Sequence, residues 1–252
     1  MENENKSKYY ETSIHNEIAV IRIKEKVFDM ITDITLSDEL SDFIDKTDSN
    51  PGIKVLLFFN EPNCFDNRQY DIFIKRITEN SKLEDNSGPP CFAEKNVRFR
   101  EINILNALIK QIANMQVIVI AGIQGEVVTP YIGLSMVADF KYVSENAVLS
   151  MAHNKYGLHP SGGLPFFLSN SVHHSKALEI QMKDFITAKE ALELGIINKI
   201  LPQNEYEKHL LFEAGKFTKL KYCTIRDTKR LTNFNRKQLF DYFEYEAGLL
   251  NL

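Results

Sequence analysis

The spacing of apolar residues divides the chain into strands and helices before any motif is considered. Residues 17–24 (EIAVIRIK) alternate apolar and polar side chains, the period of a half-buried strand. Thr35 and Asp38 then stand at capping-box spacing, with Leu36, Leu40, Phe43 and Ile44 on one helical face. Asn50-Pro51-Gly52 stops that helix. Residues 54–60 (KVLLFFN) form a continuous apolar run, as in a strand covered on both faces. Residues 68–77 return to helical spacing, and residues 81–95 read as a loop centred on Gly88-Pro89-Pro90. A long amphipathic helix over residues 97–115 leads into the apolar strand 116–123.

Short strands are expected at residues 139–144 and 147–151, and a helix at 187–195 closed by Gly195. Residues 196–202 read as a last strand, and the remaining fifty or so residues carry helical periodicity. Strand and helix alternate through the first two-thirds. That order predicts an α/β class with a mainly parallel, helix-covered sheet, and no repeat or linker interrupts it.

Composition narrows the classes of partner. With 252 residues, 44% hydrophobic and 25% charged, the chain can bury a sizeable core. A net charge of −4 disfavours a general nucleic-acid or anionic-membrane surface but leaves room for a local basic pocket. Cys64, Cys91 and Cys223 are scattered and odd in number, so neither a disulfide framework nor a zinc knuckle is expected. The polar N-terminus has no apolar h-region, and no run reaches the roughly 18–20 apolar residues of a membrane span. A cytoplasmic location follows as an expectation.

Four elements in order carry a family resemblance. An apolar strand ends in a small-residue turn, AGIQG, and Asp139 follows Gly125 by fourteen residues within VADF. Pro160, Gly162 and Gly163 form a Pro-x-Gly-Gly loop, and Ala188, Glu190, Ala191, Gly195, Ile196 and Ile197 make an A-x-E-A-x-x-x-G-I-I segment. Together these resemble the crotonase (enoyl-CoA hydratase/isomerase) superfamily over about residues 17–201. The resemblance implies a crotonase-like spiral of ββα units over residues 1–200 and a shortened helical trimerisation region over 201–252. It also implies an acyl-CoA or acyl-carrier-protein thioester as ligand and a homotrimer or hexamer as assembly. Coenzyme A enters as part of the substrate, with no separate cofactor.

The same comparison places the chemistry, and there the chain departs from the pattern. Family members stabilise an oxyanion with two backbone N–H groups. The first falls on Pro130, which has no N–H, within Thr129-Pro130-Tyr131. Thr129 followed by Pro130 reads as an N-cap and first-turn pair, which shifts the donor to the Tyr131 N–H. The second donor position falls on Gln69, with Arg68 where a glycine is usual. The two hydratase glutamates correspond to Gly133 and His153, so ordinary enoyl-CoA hydration is not expected.

His153 is the acid/base candidate by position, or else a structural loop histidine. Tyr131 is a second catalytic candidate, and Asp66, Gly133, Tyr156 and His159 are candidates for the substrate pocket. Lys24 and Lys26 are candidates for the CoA phosphates, or are simply solvated. Arg98 and Arg100 either help there or lie on a solvated helix face. The loop Lys155 to Pro160 also resembles that of polyketide-pathway decarboxylases, though Thr228 stands where those carry a functional histidine. The His spacings argue against a metal site. Two readings remain open: a divergent thioester enzyme with an enolate-like intermediate, or a catalytically lapsed binding or assembly subunit.

Overall fold

The computed structural model describes residues 5–78 and 92–249. Most of the loop expected at residues 81–95, with Gly88-Pro89-Pro90 and Cys91, lies outside the described residues. The strands are β1 (Asn5–Lys6), β2 (Tyr10–His15), β3 (Ile18–Ile23), β4 (Val55–Asn60) and β5 (Ile118–Ile123). They continue as β6 (Glu126–Val128), β7 (Phe140–Ser144), β8 (Val148–Ser150), β9 (Phe185–Thr187) and β10 (Lys199–Leu201). Helices α1 (Val27–Met30) and α2 (Ile34–Ser49) follow β3, and α3 (Asn67–Ile77) and α4 (Lys95–Asn114) separate β4 from β5. Helix α5 (Thr129–Met136) follows β6, and α6 (Leu164–Ser171) and α7 (His174–Gln181) precede β9. After α8 (Ala188–Glu193) and β10 come α9 (Tyr206–Ala214), α10 (Tyr222–Thr232) and α11 (Gln238–Gly248).

The main sheet has the order β1-β2-β3-β4-β5-β7-β10, and a small sheet has β6-β8-β9. From β3 to β10 the main sheet is parallel, as the strand–helix alternation predicted, and β1–β2–β3 add an antiparallel edge. Why β4 is apolar throughout is visible in its two faces. Leu56 and Phe58 enter the main core among the helices, while Val55, Leu57 and Phe59 meet Tyr206, Leu210 and Ala214 of α9. The Tyr206 hydroxyl accepts the Ile123 N–H at 2.9 Å and donates to the Tyr142 carbonyl at 2.8 Å, pinning α9 to β5 and β7. Leu239 and Phe243 of α11 enter the main core in turn.

Three local expectations need correction. The cap of α2 is Asp33, whose side chain accepts from Thr35 N and Leu36 N, so Thr35 lies inside the first turn. Aspartate two residues upstream outcompetes the threonine because its carboxylate reaches two orphan N–H groups at once. Helix α5 begins one residue earlier than read: Val128 is its cap and Thr129 its first residue. Strand β2, half-exposed and turning into β3 through Asn16 at φ 55°, and the three-residue strands β6 and β9 carry too little alternation to be read from sequence.

Candidate functional site

The stretch from Gly125 to Asp139 serves the fold at one end and the site at the other. All eight residues of α5 are buried, so the helix runs through the interior. Just past its far end, the Asp139 carboxylate accepts the Val119 N–H at 2.8 Å and pairs with Lys229 at 2.6 Å. Lys229 also donates to the Val117 carbonyl at 2.7 Å. That hub binds β5, α5 and α10 together and explains why an aspartate is wanted at this spacing.

The start of α5 lacks the expected donors. Pro130 sits in the first turn with no N–H to offer. Gln69, the second donor position, spends its N–H on the Asp66 side chain at 2.8 Å, because Asp66 caps α3. Asp66 is therefore a helix cap before it is a pocket carboxylate. The Thr129 hydroxyl does not cap α5 either: it lies 2.7 Å from His153 Nδ1. The Tyr131 ring is wholly buried, stacked on Phe65 at 4.3 Å, and its hydroxyl donates to the Gly122 carbonyl at 2.9 Å. Burial holds that phenol well above its ordinary range.

At Gly133 there is no room for a side chain. A Cβ there would lie 2.5 Å from the Gly162 carbonyl oxygen and 2.9 Å from that of Ser161. The Pro-x-Gly-Gly loop, with Gly162 and Gly163 at φ near 70°, presses its backbone onto α5 at Gly133. Tyr156 is likewise engaged. Its hydroxyl donates to the Asp71 carboxylate of α3, which Lys155 meets at 2.7 Å. Burial alone would raise the Asp71 carboxyl, but the Lys155 and Tyr156 hydrogen bonds hold it below its usual range.

His153 occupies a short 3-10 turn after β8 and is 1% exposed. Its Nδ1 meets Thr129, and its Nε2 is buried without a partner. Burial, and then the neighbouring His159, push its pKa down to about 4, so the imidazole is neutral at pH 7. His159 also keeps Nε2 unpartnered, with Nδ1 3.1 Å from the Pro160 carbonyl. Its proton affinity is lowered by burial and by the charge of Arg98.

Of the two readings of Arg98, the solvated helix face is excluded. It is buried on α4 and paired with the equally buried Glu101 one turn on. Arg98 Nε and Glu101 Oε1 nevertheless lack partners, as do both carboxylate oxygens of Glu246 on α11. Burial lifts the Glu246 carboxyl to about 7, against the pull of the Gly163 backbone and Arg98. A seam of underused polar atoms thus runs from Thr129 through His153 and His159 to Arg98, Glu101 and Glu246. Sequence reasoning passed over Glu101 and Glu246. The signal was available for Glu101, which follows Arg98 by three residues and adjoins the buried Ile102 and Leu105.

The other candidates lie apart from the seam. Lys24 is paired with Glu11 at 2.5 Å, and Lys26 is exposed at the left-handed cap of α1. Thr228 is exposed on α10. No helix among the described residues is long and apolar enough to cross a membrane.

The two sheets, the buried central helix and the C-terminal helices are those of the crotonase fold. The structure aligns with an enoyl-CoA hydratase from Bacillus halodurans at TM-score 0.76 and 18% identity, covering 96% of this chain and 93% of that one. It aligns with an enoyl-CoA hydratase/isomerase from Cupriavidus metallidurans CH34 at TM-score 0.72 and 21% identity, covering 98% and 90%. At such identities the likeness is one of fold. The chain belongs to the enoyl-CoA hydratase/isomerase family, whose sequence profile matches residues 94–251. No curated protein sequence matches it.

Proposed function

We propose that this protein handles an acyl thioester, of coenzyme A or of an acyl-carrier protein, through an enolate-like intermediate, with His153 as the acid/base group. The observation that carries this reading is the buried Thr129–His153 contact with Nε2 left free. When Nδ1–H donates to Thr129 Oγ1, Nε2 presents a lone pair able to take a proton from the carbon beside the thioester carbonyl. The Thr129 O–H is then free to donate, one residue before the family's usual oxyanion position. With Pro130 silent and Gln69 N–H committed to Asp66, the Tyr131 N–H is the backbone donor assigned to the developing negative charge. Coenzyme A comes with the substrate, and a homotrimer or hexamer is the assembly proposed.

A second reading, a catalytically lapsed binding or assembly subunit, draws on the closed contact between Gly133 and the Gly162 carbonyl. Thermal-shift titration with a panel of acyl-CoAs and acyl-carrier proteins separates the two, followed by turnover assays on any ligand that binds. The enzyme reading expects a thioester that both stabilises and turns over, and turnover lost in His153→Ala with binding retained. Binding without turnover of any ligand favours the lapsed subunit. An unaltered rate in His153→Ala removes the imidazole from the mechanism.

A further inference from the structure

At the opposite end of α5 from Thr129, a cavity of about 230 Å³ opens between the end of α4 and the corner joining α10 to α11. Helix α5 spans eight residues, about 12 Å of rise, so this cavity is well separated from the His153 seam. Its lining carries four cations, Lys229, Arg230, Arg236 and Lys237, and no carboxylate. Lys229 is neutralised by Asp139 at 2.6 Å. The other three are oriented without an ion pair among the described residues, although the field of Asp227 reaches Arg230 and that of Asp139 reaches Arg236. Arg230 donates to Gln116 Oε1 at 3.0 Å, Arg236 donates to the Val137 carbonyl at 2.9 Å, and Lys237 lies over the Phe234 ring at 4.5 Å.

Charge accumulates behind the wall as well. Lys141 is pushed down to about 8 by burial and then by the positive Arg236 beside it. Asp139 is the carboxylate whose field reaches Lys229, Arg236 and Lys141 together. Asp48, which also acts on Lys229, accepts the Gln116 N–H at 2.6 Å. Two carboxylates, Asp139 and Asp48, face three sheltered cations, Lys229, Arg236 and Lys141, and like charges held in a partly desolvated wall repel one another. An entering anion relieves that repulsion. A phosphate suits the donors, because guanidinium forks match its oxygens in pairs and an ammonium supplies a point charge.

We propose that this cavity binds a phosphate group, free or borne by a small organic ester, through Arg230, Arg236 and Lys237. The site does not depend on the thioester reading, and Lys229 remains a structural tie within it. Calorimetric titration of the full chain with inorganic phosphate, ADP and adenosine, at an ionic strength held constant with chloride, tests it. Saturable binding of phosphate or ADP is expected, and ADP without phosphate identifies an ester as the ligand. Arg230→Gln with Lys237→Gln, both at exposed positions, should weaken that binding at least about tenfold, the loss of one charge-assisted hydrogen bond. The unfolding midpoint of the double variant should stay unchanged. Absence of saturable binding beyond the chloride control overturns the proposal, as does equal affinity in the double variant or adenosine binding as tightly as ADP. A changed oligomeric state in the double variant, without phosphate binding to the wild type, identifies a subunit contact instead and also overturns it.

Discussion

The Lys229–Asp139 pair beside the far end of α5 and the Arg98–Glu101 pair on α4 are both largely removed from water, yet their surroundings differ. Around Lys229 and Asp139 the acceptors and donors match: Val117 O and Val119 N complete the pair, and neither residue keeps a buried polar atom without a partner. Around Arg98 and Glu101 the match is incomplete, with Arg98 Nε and Glu101 Oε1 both orphaned. An ion pair with no buried polar atom left over is a structural tie, because water and ligand have little to gain there. A pair with atoms in reserve is costly as it stands and becomes favourable when something polar joins it. The difference separates the part of the molecule that holds the fold from the part available for chemistry.

The comparison breaks most visibly at Asp139. Asp139→Ala should strand a buried ammonium and lower unfolding stability by about 3–5 kcal/mol in urea titrations. A loss under about 1 kcal/mol would show that the hub is not what fastens α10 to β5. Glu101→Leu alone should be comparably harmful, since Arg98 is left unpaired. The double variant Arg98→Leu, Glu101→Leu should recover most of that stability, as buried pairs replaced by apolar residues often do. A double variant no more stable than the single one would mean the seam contributes to folding in its own right.

Gly133→Ala sharpens the contrast at the other end of α5. Its methyl would meet the Gly162 carbonyl, and a cost of about 1–3 kcal/mol is expected in the same measurement. A tolerated alanine would show that the Pro-x-Gly-Gly loop retreats easily.

Two of the shifted groups in the seam, Glu246 and His153, should act on stability in opposite directions. Glu246 ionises at about 7 in the folded chain against an ordinary 4.5, so the stability it confers is complete below 4.5 and lost as pH rises through 7. His153 falls to about 4 against an ordinary 6.5, so its contribution is intact above 6.5 and lost as pH falls through 4. Between 4.5 and 6.5 the two slopes oppose each other. Glu246→Gln should therefore lessen the neutral-side decline, and His153→Gln the acid-side decline to which His159 also contributes, in unfolding midpoints followed across pH. Profiles of unchanged slope in both variants would place these groups in solvent. The smallest effect belongs to Asp66→Ala, which should cost about 1 kcal/mol through loss of the α3 cap. A neutral result would mean that Gln69 N–H is not held by Asp66.

Much of this was legible in the chain. The fourteen-residue spacing from Gly125 to Asp139 survives divergence because it measures out one short helix and ends in a side chain that β5 and α10 both need. That position 130 offers no N–H was equally plain, since proline lacks one covalently. His153 could be placed by position alone. The fate of its neighbours could not. Tyr156 and Asp71 are 85 residues apart in sequence, and Thr129 and His153 are 24 apart. A solvated place for Arg98 stayed open because a charged residue near a helix start is usually exposed.

The sequence by itself determined the fold class, the family and the lack of an N–H at Pro130. Those are properties of local order: periodicity, spacing, and which atoms each residue owns. Tertiary structure alone decided which polar atoms are spent and which are kept. Gln69 N–H went to Asp66, the Tyr131 hydroxyl to Gly122, and the space at Gly133 to the Gly162 carbonyl, while His153 Nε2 and Glu246 were left over. Hydrogen bonds are short and directional, so their pairing is fixed only after distant segments have packed.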